Sequence, residues 1–405
     1  MVDKRVVVTG IGVVSSIGIG KADFWNNLIA GVSGIGDVEL FDTADFPVHR
    51  GGEVKKFKSE SFIPSSNLKG MARASQFAVA AAKMAFNDAE IKPNEIDGKK
   101  VGAIIGTTMA DIQSLEQIDK YWTRIGESEV WPVNIVKYPS NSLSDHVGYF
   151  FKLSGPNYAI PTACSAGNYS IGYGYDLIRK GKTDYALVGG ADPFSRITFT
   201  GFNRLYAMAP ERCQPFDKNR KGMIIGEGAG VLLLETLETA VKRKTPVYAE
   251  ILGYGLSCDA HHMTAPRVGG IVKVMEKALK HSKTKKENVG YISAHGTGTP
   301  ANDKAECEAI KKVFGDLAKK IPVSSIKSML GHTMGAASAI EAIACVLAIK
   351  DGVVPPTINY ETPDAECDID CVPNTARKKK VDVALNNSLA FGGNNACVVF
   401  GKYRG

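Results

Sequence analysis

Apolar runs of strand length alternate with helical patterns along this chain, and near residue 245 the alternation closes and begins again. In the first stretch, Arg5–Ile11, Val101–Ile105, the apolar run before Cys164, Tyr185–Val188 and Val231–Glu235 read as buried strands. Met71–Ala89, Leu115–Trp122, the segment from Cys164 to Gly181 and Thr236–Lys244 read as helices; the first is alanine-rich and amphipathic, ended by Lys92-Pro93. In the second stretch the strands are Val247–Tyr254, Val289–Ala294, Ile321–Ser324, Val383–Asn387 and Ala396–Phe400. The helices there are Gly270–His281, Lys304–Phe314 and Gly335–Ile349. Such alternation predicts an α/β architecture with sheets covered by helices. The stretches also echo each other. Cys164 opens a small-residue helix after a buried strand, His332 opens another, and the two stop at Gly181 and Gly352. Two pseudo-symmetric halves, 1–245 and 246–405, are predicted, with helix starts converging on one site.

Composition bounds the function. Of 405 residues, 44% are hydrophobic and 22% charged, ample for a core. A net charge of +7 over scattered lysines is far from a nucleic-acid-binding tail, so no nucleic-acid partner is expected. Arg377-Lys378-Lys379-Lys380 is the one dense basic run; it reads as a solvated loop, with docking of an acidic protein as the functional alternative. None of the eight cysteines forms a CxxC pair, and no histidine lies near Cys367 and Cys371, so no metal is expected. Free thiols fit a reducing cytoplasm. Val6-Val7-Val8 is too short for a signal core, and Glu341 interrupts the best membrane-span candidate, so a soluble protein with no membrane association is expected. Gly10-Ile11-Gly12 invites a dinucleotide reading. Ser15, however, stands where a third glycine belongs, no acidic residue follows at the expected distance, and a tight turn beside packed strands suffices.

Three element ends carry reactive side chains: Thr162-Ala163-Cys164, His295-Gly296-Thr297-Gly298-Thr299-Pro300, and Lys327-Ser328-Met329-Leu330-Gly331-His332. A free cysteine is most often inert core. On a strand-to-helix turn, however, Cys164 faces unpaired helix N–H groups, whose dipole is predicted to lower its thiol pKa and which can bind an oxyanion. A thiolate with two imidazoles suits acyl transfer, one group holding the acyl chain and two donors stabilising an enolate. A metal site of one cysteine and two histidines lacks a fourth ligand and the short spacing such sites use.

In these residues the chain resembles the β-ketoacyl-[acyl carrier protein] synthases, decarboxylating condensing enzymes of the thiolase superfamily. The likeness runs in family order from VVVTGIGVVSSIG through TACSAG, DAHHMT at 259–264, HGTGTPANDKAE and SSIKSMLGH to AFGGNN at 390–395. A Cys-His-His set is similar to the elongating type II enzymes. The resemblance implies a five-layered αβαβα thiolase-like fold and a ping-pong cycle. Cys164 would take an acyl chain from the phosphopantetheine arm of acyl carrier protein, with the N–H groups of Cys164 and Phe391 as oxyanion hole and Phe391 as gate. Malonyl-carrier would then lose CO2, and His295 and His332, supported by Lys327 and Glu341, would stabilise the enolate that attacks the acyl group. Thr297 and Thr299 would bind the pantetheine arm, and no freely bound cofactor is implied. Lys69 and Arg204 are the expected docking cations for the acidic carrier. The strand before Cys164 is expected to pair across a dimer interface, with an identical chain or a chain-length-factor-like subunit.

The departures cluster at the acyl pocket, assigned to Thr108, Met109, Phe202 and Leu389. Thr107-Thr108-Met109-Ala110-Asp111 replaces a small glycine stretch, Leu389 stands where a phenylalanine is frequent, and Asn394 replaces a threonine. Asp111 is predicted to cap the helix that follows it. These changes tilt the pathway from fatty-acid elongation toward type II polyketide or polyene synthesis, which share the reaction. Three rivals remain. A noncatalytic partner subunit is opposed by Cys164 and both histidines. A thiolase-type acyl-CoA condensing enzyme needs a second cysteine, and Cys397 reads as core. An oxidoreductase rests on Gly10 and Gly12 alone.

Overall fold

Ten strands of the computed structural model, which describes residues 4–124, 126 and 132–405, follow one hydrogen-bonded path, with Gly18–Ile19 paired beside the first. They are β1 (Val6–Ser15), β2 (Val101–Gly106), β3 (Asn157–Ile160), β4 (Tyr185–Asp192), β5 (Gly228–Thr236), β6 (Ala249–Cys258), β7 (Tyr291–Ser293), β8 (Val323–Ser324), β9 (Val383–Ser388) and β10 (Asn394–Gly401). The order is β8-β7-β9-β10-β6-β1-β5-β4-β2-β3. Outward from the β6·β1 junction, the two sides repeat one arrangement: first strand of the stretch, then fifth, fourth, second and third. The senses repeat too. The pairs β3·β2 and β2·β4 are parallel, as are β8·β7 and β7·β9; β4·β5 and β5·β1 are antiparallel, as are β9·β10 and β10·β6. Three residue pairs join the sides: Val6 with Ile251, Val7 with Glu250 and Val8 with Ala249.

So slender a seam leaves the helices to hold the halves together. Helix α1 (Arg73–Asp88) covers β1, β5 and β4 from outside; α2 (Ala166–Arg179) lies in the middle. Helix α3 (Val268–His281) covers β6 and β10, with α4 (Pro300–Phe314) beside it; α5 (Ala337–Asp351) joins α2 at the centre. Both α2 and α5 pack on strands of each side, giving the layers α-β-α-β-α of the thiolase-like fold. Every residue of α5 from Ala337 to Ile349 is buried, which a helix without a polar face requires. Glycine lets the two central helices meet: a Cβ on Gly167 would stand 2.6 Å from the Ala339 nitrogen. No described helix is long and apolar enough to cross a membrane.

Three expectations are corrected here. The first strand does not turn at Gly10-Ile11-Gly12 but runs on to Ser15, pairing Gly10 with Leu233 and Gly12 with Val231. The glycines make room for α1, because a Cβ would fall 2.1 Å from the Ala85 oxygen at Gly10 and 1.8 Å from the Ala81 oxygen at Gly12. Asp111 does not cap the helix it precedes. It accepts the N–H groups of Ala74 (2.8 Å) and Ser75 (3.2 Å), and the Ser75 hydroxyl, so it caps α1 from across the chain. The reason is local: Ala72, at the N-cap of α1, has no side-chain acceptor to offer. Finally, Cys164 and His332 are not equivalent. Matching 3₁₀ turns, Ala163–Ser165 and Met334–Ala336, open α2 and α5, and Ala163 (φ 51°) and Met334 (φ 52°) are both left-handed. The counterpart of Cys164 is therefore Gly335, and His332 sits one turn earlier.

Candidate active site

Where β3 ends, Ala163 takes a left-handed conformation that a residue with a side chain adopts at a cost of about 1 kcal/mol. The turn it makes sets Cys164 at the buried floor of a cavity of about 330 Å³. The backbone N–H groups of Cys164 and Phe391 lie by the Cys164 sulfur and favour its thiolate form. They come from the two halves of the chain, and the Ser388 hydroxyl, donating to the Cys164 carbonyl at 3.0 Å, ties one segment to the other. The predicted low thiol pKa is corrected. Burial pushes Cys164 up to about 11 and Asp192 adds to the rise, outweighing Lys327 and the two N–H groups. The resting group is the neutral thiol, and the two N–H groups are free to serve an oxyanion.

His295 and His332 line the same cavity, ring centres 5.4 Å apart and nearly edge to face at 82°. Their tautomers are fixed from behind. The N–H of Met334 donates to His332 Nδ1 at 3.1 Å, and the Lys327 ammonium faces His295 Nδ1 at 3.4 Å. Each Nδ1 is thus an acceptor, and each Nε2 carries the hydrogen. Burial, joined by the Lys327 charge, holds both imidazoles well below their usual pKa, so both are neutral donors. Lys327 is buried as well, paired with Glu341 and donating to the His295 carbonyl at 2.7 Å. Burial raises the Glu341 carboxyl and Lys327 pulls it back down. One thiol, two backbone N–H groups beside it and two neutral imidazole donors form an acyl-transfer constellation.

Family models for the β-ketoacyl synthase N-terminal and C-terminal domains match residues 3–240 and 248–361. The chain belongs to the β-ketoacyl synthase family. It is 41% identical over 410 residues to 3-oxoacyl-[acyl-carrier-protein] synthase 2 of Synechocystis sp., and 39% identical over 409 residues to the synthase 2 of Staphylococcus aureus (strain COL). Each match covers 99% of both chains. Among solved structures, the ishigamide ketosynthase/chain length factor superposes with TM-score 0.97 at 44% identity, covering 99% of this chain and 100% of that one. A type II PKS acyl-carrier protein in complex with its ketosynthase bound to the hexaketide gives 0.90 at 34%, with the same coverage.

The synthase brings most of the sequence-derived residues to one place. Thr297 and Thr299 line the cavity, their hydroxyls 2.8 Å apart. Phe391, Phe202 and Leu389 line it too, and the rings of Phe202 and Phe391 pack at 5.6 Å. Thr108 and Met109 are not among its lining residues; their N–H groups are held by Asp192, at 2.8 and 2.9 Å. Arg204 is exposed beside Leu205 and Tyr206, which form part of the cavity wall. Lys69 is exposed after the short helix Ser65–Leu68, away from the cavity lining. Cys397 is buried inside β10, where burial drives its thiol up, and it does not reach the cavity.

Three buried carboxylates escaped the sequence reading. Glu306 accepts the N–H groups of His295 and Gly296, both at 2.8 Å, and burial pushes it up to about 7. Asp303, one turn before it on α4, accepts the N–H groups of Phe216 (2.9 Å) and Gly298 (3.2 Å). Asp192, raised by burial to about 6, binds the Thr107 hydroxyl at 2.7 Å and the Gly335 N–H at 2.6 Å, clamping the loop after β2 to the start of α5. Glu306 and Asp303 lie inside the HGTGTPANDKAE motif, which was the available signal; Asp192 follows Gly189-Gly190-Ala191 at a strand end.

Proposed function

We propose that the chain performs decarboxylative Claisen condensation: it joins an acyl group held on Cys164 to malonyl-[acyl carrier protein] and releases 3-ketoacyl-[acyl carrier protein]. The observation that carries this is the pairing of a buried thiol, faced by two backbone donors, with two imidazoles locked as Nε2–H donors in one cavity. In the loading step the Cys164 sulfur bonds to the thioester carbon, and the departing pantetheine thiolate takes the thiol proton. The N–H groups of Cys164 and Phe391 hold the tetrahedral oxyanion. Malonyl-carrier then enters beside Thr297 and Thr299. Its bond to CO2 breaks, and the electron pair becomes an enolate whose oxygen accepts hydrogen bonds from His295 and His332. The enolate carbon attacks the acyl-Cys164 carbonyl, and the expelled Cys164 thiolate takes up one proton. Neutral histidines suit this role, since protonation of the enolate by an imidazolium would waste the malonyl unit. The nucleophile comes from 1–245 and both donors from 246–405.

Within this reaction, type II polyketide synthesis is favoured by the likeness to the ishigamide ketosynthase/chain length factor, 44% identical with TM-score 0.97. An acyl carrier protein and a second subunit, a copy of the chain or a chain-length-factor-like relative, complete the assembly. The open sheet edge at β3 suits that contact: Tyr158 and Tyr173 stack edge to face at 5.2 Å and are 46% and 40% exposed. A cytoplasmic location is the reading that eight cysteines without a disulfide support. The test is intact-mass measurement with a panel of acyl-carrier substrates, together with CO2 release from malonyl-carrier. Mass should appear on Cys164 alone. Cys164→Ala should lose condensation and keep decarboxylation, whereas His295→Ala and His332→Ala should lose decarboxylation far more than loading. Condensation by Cys164→Ala, or equal loss of both steps in the histidine variants, would sink the assignment.

A further inference from the structure

The cavity wall carries a single permanent charge. Of the residues lining it, Lys221 alone is a lysine, arginine, aspartate or glutamate; the others are apolar, hydroxylic, amide or imidazole groups. Cys164, His295 and His332 are buried at the floor, and Lys221 is exposed, so the ammonium stands at the mouth. Its side chain makes no hydrogen bond or ion pair with another described residue.

Its backbone, by contrast, is held on both sides. Gly222 donates to the Gly298 carbonyl at 3.0 Å, between Thr297 and Thr299. Gly222 has φ +140°, and a Cβ there would lie 2.4 Å from the Ala207 oxygen, so the turn after Lys221 is specified by glycine. On the other side Arg220 is buried, donating to the Asp217 carbonyl at 2.8 Å and paired with Asp364. Asp217 in turn accepts the N–H groups of Glu361 and Thr362, each at 2.6 Å. The nearby acids are thus engaged elsewhere: Asp364 by Arg220, Asp303 by Phe216 and Gly298, Glu361 by Arg212. None of them neutralises Lys221. Buried Arg220 and the Gly222 turn thus fix the backbone of Lys221, which presents one free cation beside the two threonines.

We propose that Lys221 receives the phosphodiester by which the pantetheine arm hangs from its carrier, which names a binding residue for the substrate class of the functional reading above and rests on it. The arm between phosphate and thioester is uncharged, so its only anion must stay where the thioester, placed at Cys164, leaves it: at the mouth. A hydrated lysine is suited to a phosphate in water, as a point charge with three rotatable donors. The other candidate anion, the malonyl carboxylate, is lost at the buried floor beside the histidines and does not meet Lys221.

Acyl-pantetheine and acyl-4′-phosphopantetheine thioesters, which carry no carboxylate, separate the phosphate from both the carrier protein and malonate. The readout is kcat/KM for loading of Cys164, followed by intact mass. Wild type should prefer the phosphorylated thioester, with a preference that fades as salt rises. Lys221→Ala should cut that preference by about three- to fivefold, as removal of an exposed charge pair does. Lys221→Glu should cut it further and Lys221→Arg should retain it. A preference indifferent to Lys221→Ala and Lys221→Glu overturns this inference while leaving the functional reading intact. A wild-type chain that loads neither thioester overturns the functional reading, and this inference with it.

Discussion

Lys327 ties stability and chemistry together, and a pair of variants should separate them. In Lys327→Met the Glu341 carboxylate is left buried without its partner, which costs about 3–5 kcal/mol where a buried pair is broken on one side. Removing that charge as well, in Lys327→Met/Glu341→Gln, should restore much of the loss. About 1–3 kcal/mol should remain, because the His295 carbonyl has still lost its donor. The single variant should also be pH-sensitive. Burial already makes Glu341 easier to protonate in the folded chain than in the unfolded one, more so without Lys327. A group with a raised folded pKa favours folding while protonated, so stability is lost as pH rises from the ordinary carboxylate range through the raised value. The deficit of Lys327→Met should therefore be larger at pH 8 than at pH 5.5. Activity should not follow stability. Both variants free His295 Nδ1 to take the hydrogen, leaving Nε2 as an acceptor that repels an enolate, so decarboxylation of malonyl-carrier should fall by about 10²–10³ in each. Denaturant titrations give the stabilities and CO2 release gives the rate. A double variant as unstable as the single one, or one that decarboxylates at the wild-type rate, refutes this account of Lys327.

Alkylation of Cys164 by iodoacetamide should climb about tenfold per pH unit from pH 7 to pH 9 without levelling, because the thiol sits at about 11; an inflection below pH 8 in the rate profile would contradict this. Gly335→Ala should cost about 2–3 kcal/mol in denaturant titrations, since the new Cβ would stand 2.5 Å from the Thr107 carbonyl carbon; a neutral result would mean the Thr107–Met109 loop is free to yield. Asp111→Ala should cost about 1–2 kcal/mol in denaturant titrations by uncapping α1, and Asp111→Asn less, whereas equal stability of all three chains would rule out the cap.

The reactive residues were legible because each sits at an element end beside glycine or other small residues, where a sequence seldom places a thiol or imidazole by chance. Glu341 could be picked out as the one charge between Gly335 and Ile349. Glu306, Asp303 and Asp192 lack such contrast: they stand in polar helix and strand-end segments and serve backbone N–H groups outside their own helix or strand, which no local pattern records. Asp111 shows the same blindness, since its residue type announced a cap but not the helix it caps. Gly10 and Gly12 were misread because glycine signals either a turn or a close approach, and only the position of Ala81 and Ala85 on α1 decides between them. The thiol pKa was misjudged because sequence reveals a helix start but not how dry its surroundings are.

The matched turns before α2 and α5 set a limit on what a duplicated architecture can do. Cys164 has open cavity above it, whereas at Gly335 the space a side chain would need is filled by Thr107 and Thr108 from the opposite half. Two nucleophiles at twin positions are thus sterically incompatible, since the Thr107–Thr108 loop occupies the space at Gly335. Broken symmetry is built into the interior of this molecule: by forgoing a side chain at one twin, the fold frees the neighbouring turn to bring His332 to a cavity that holds a single thiol.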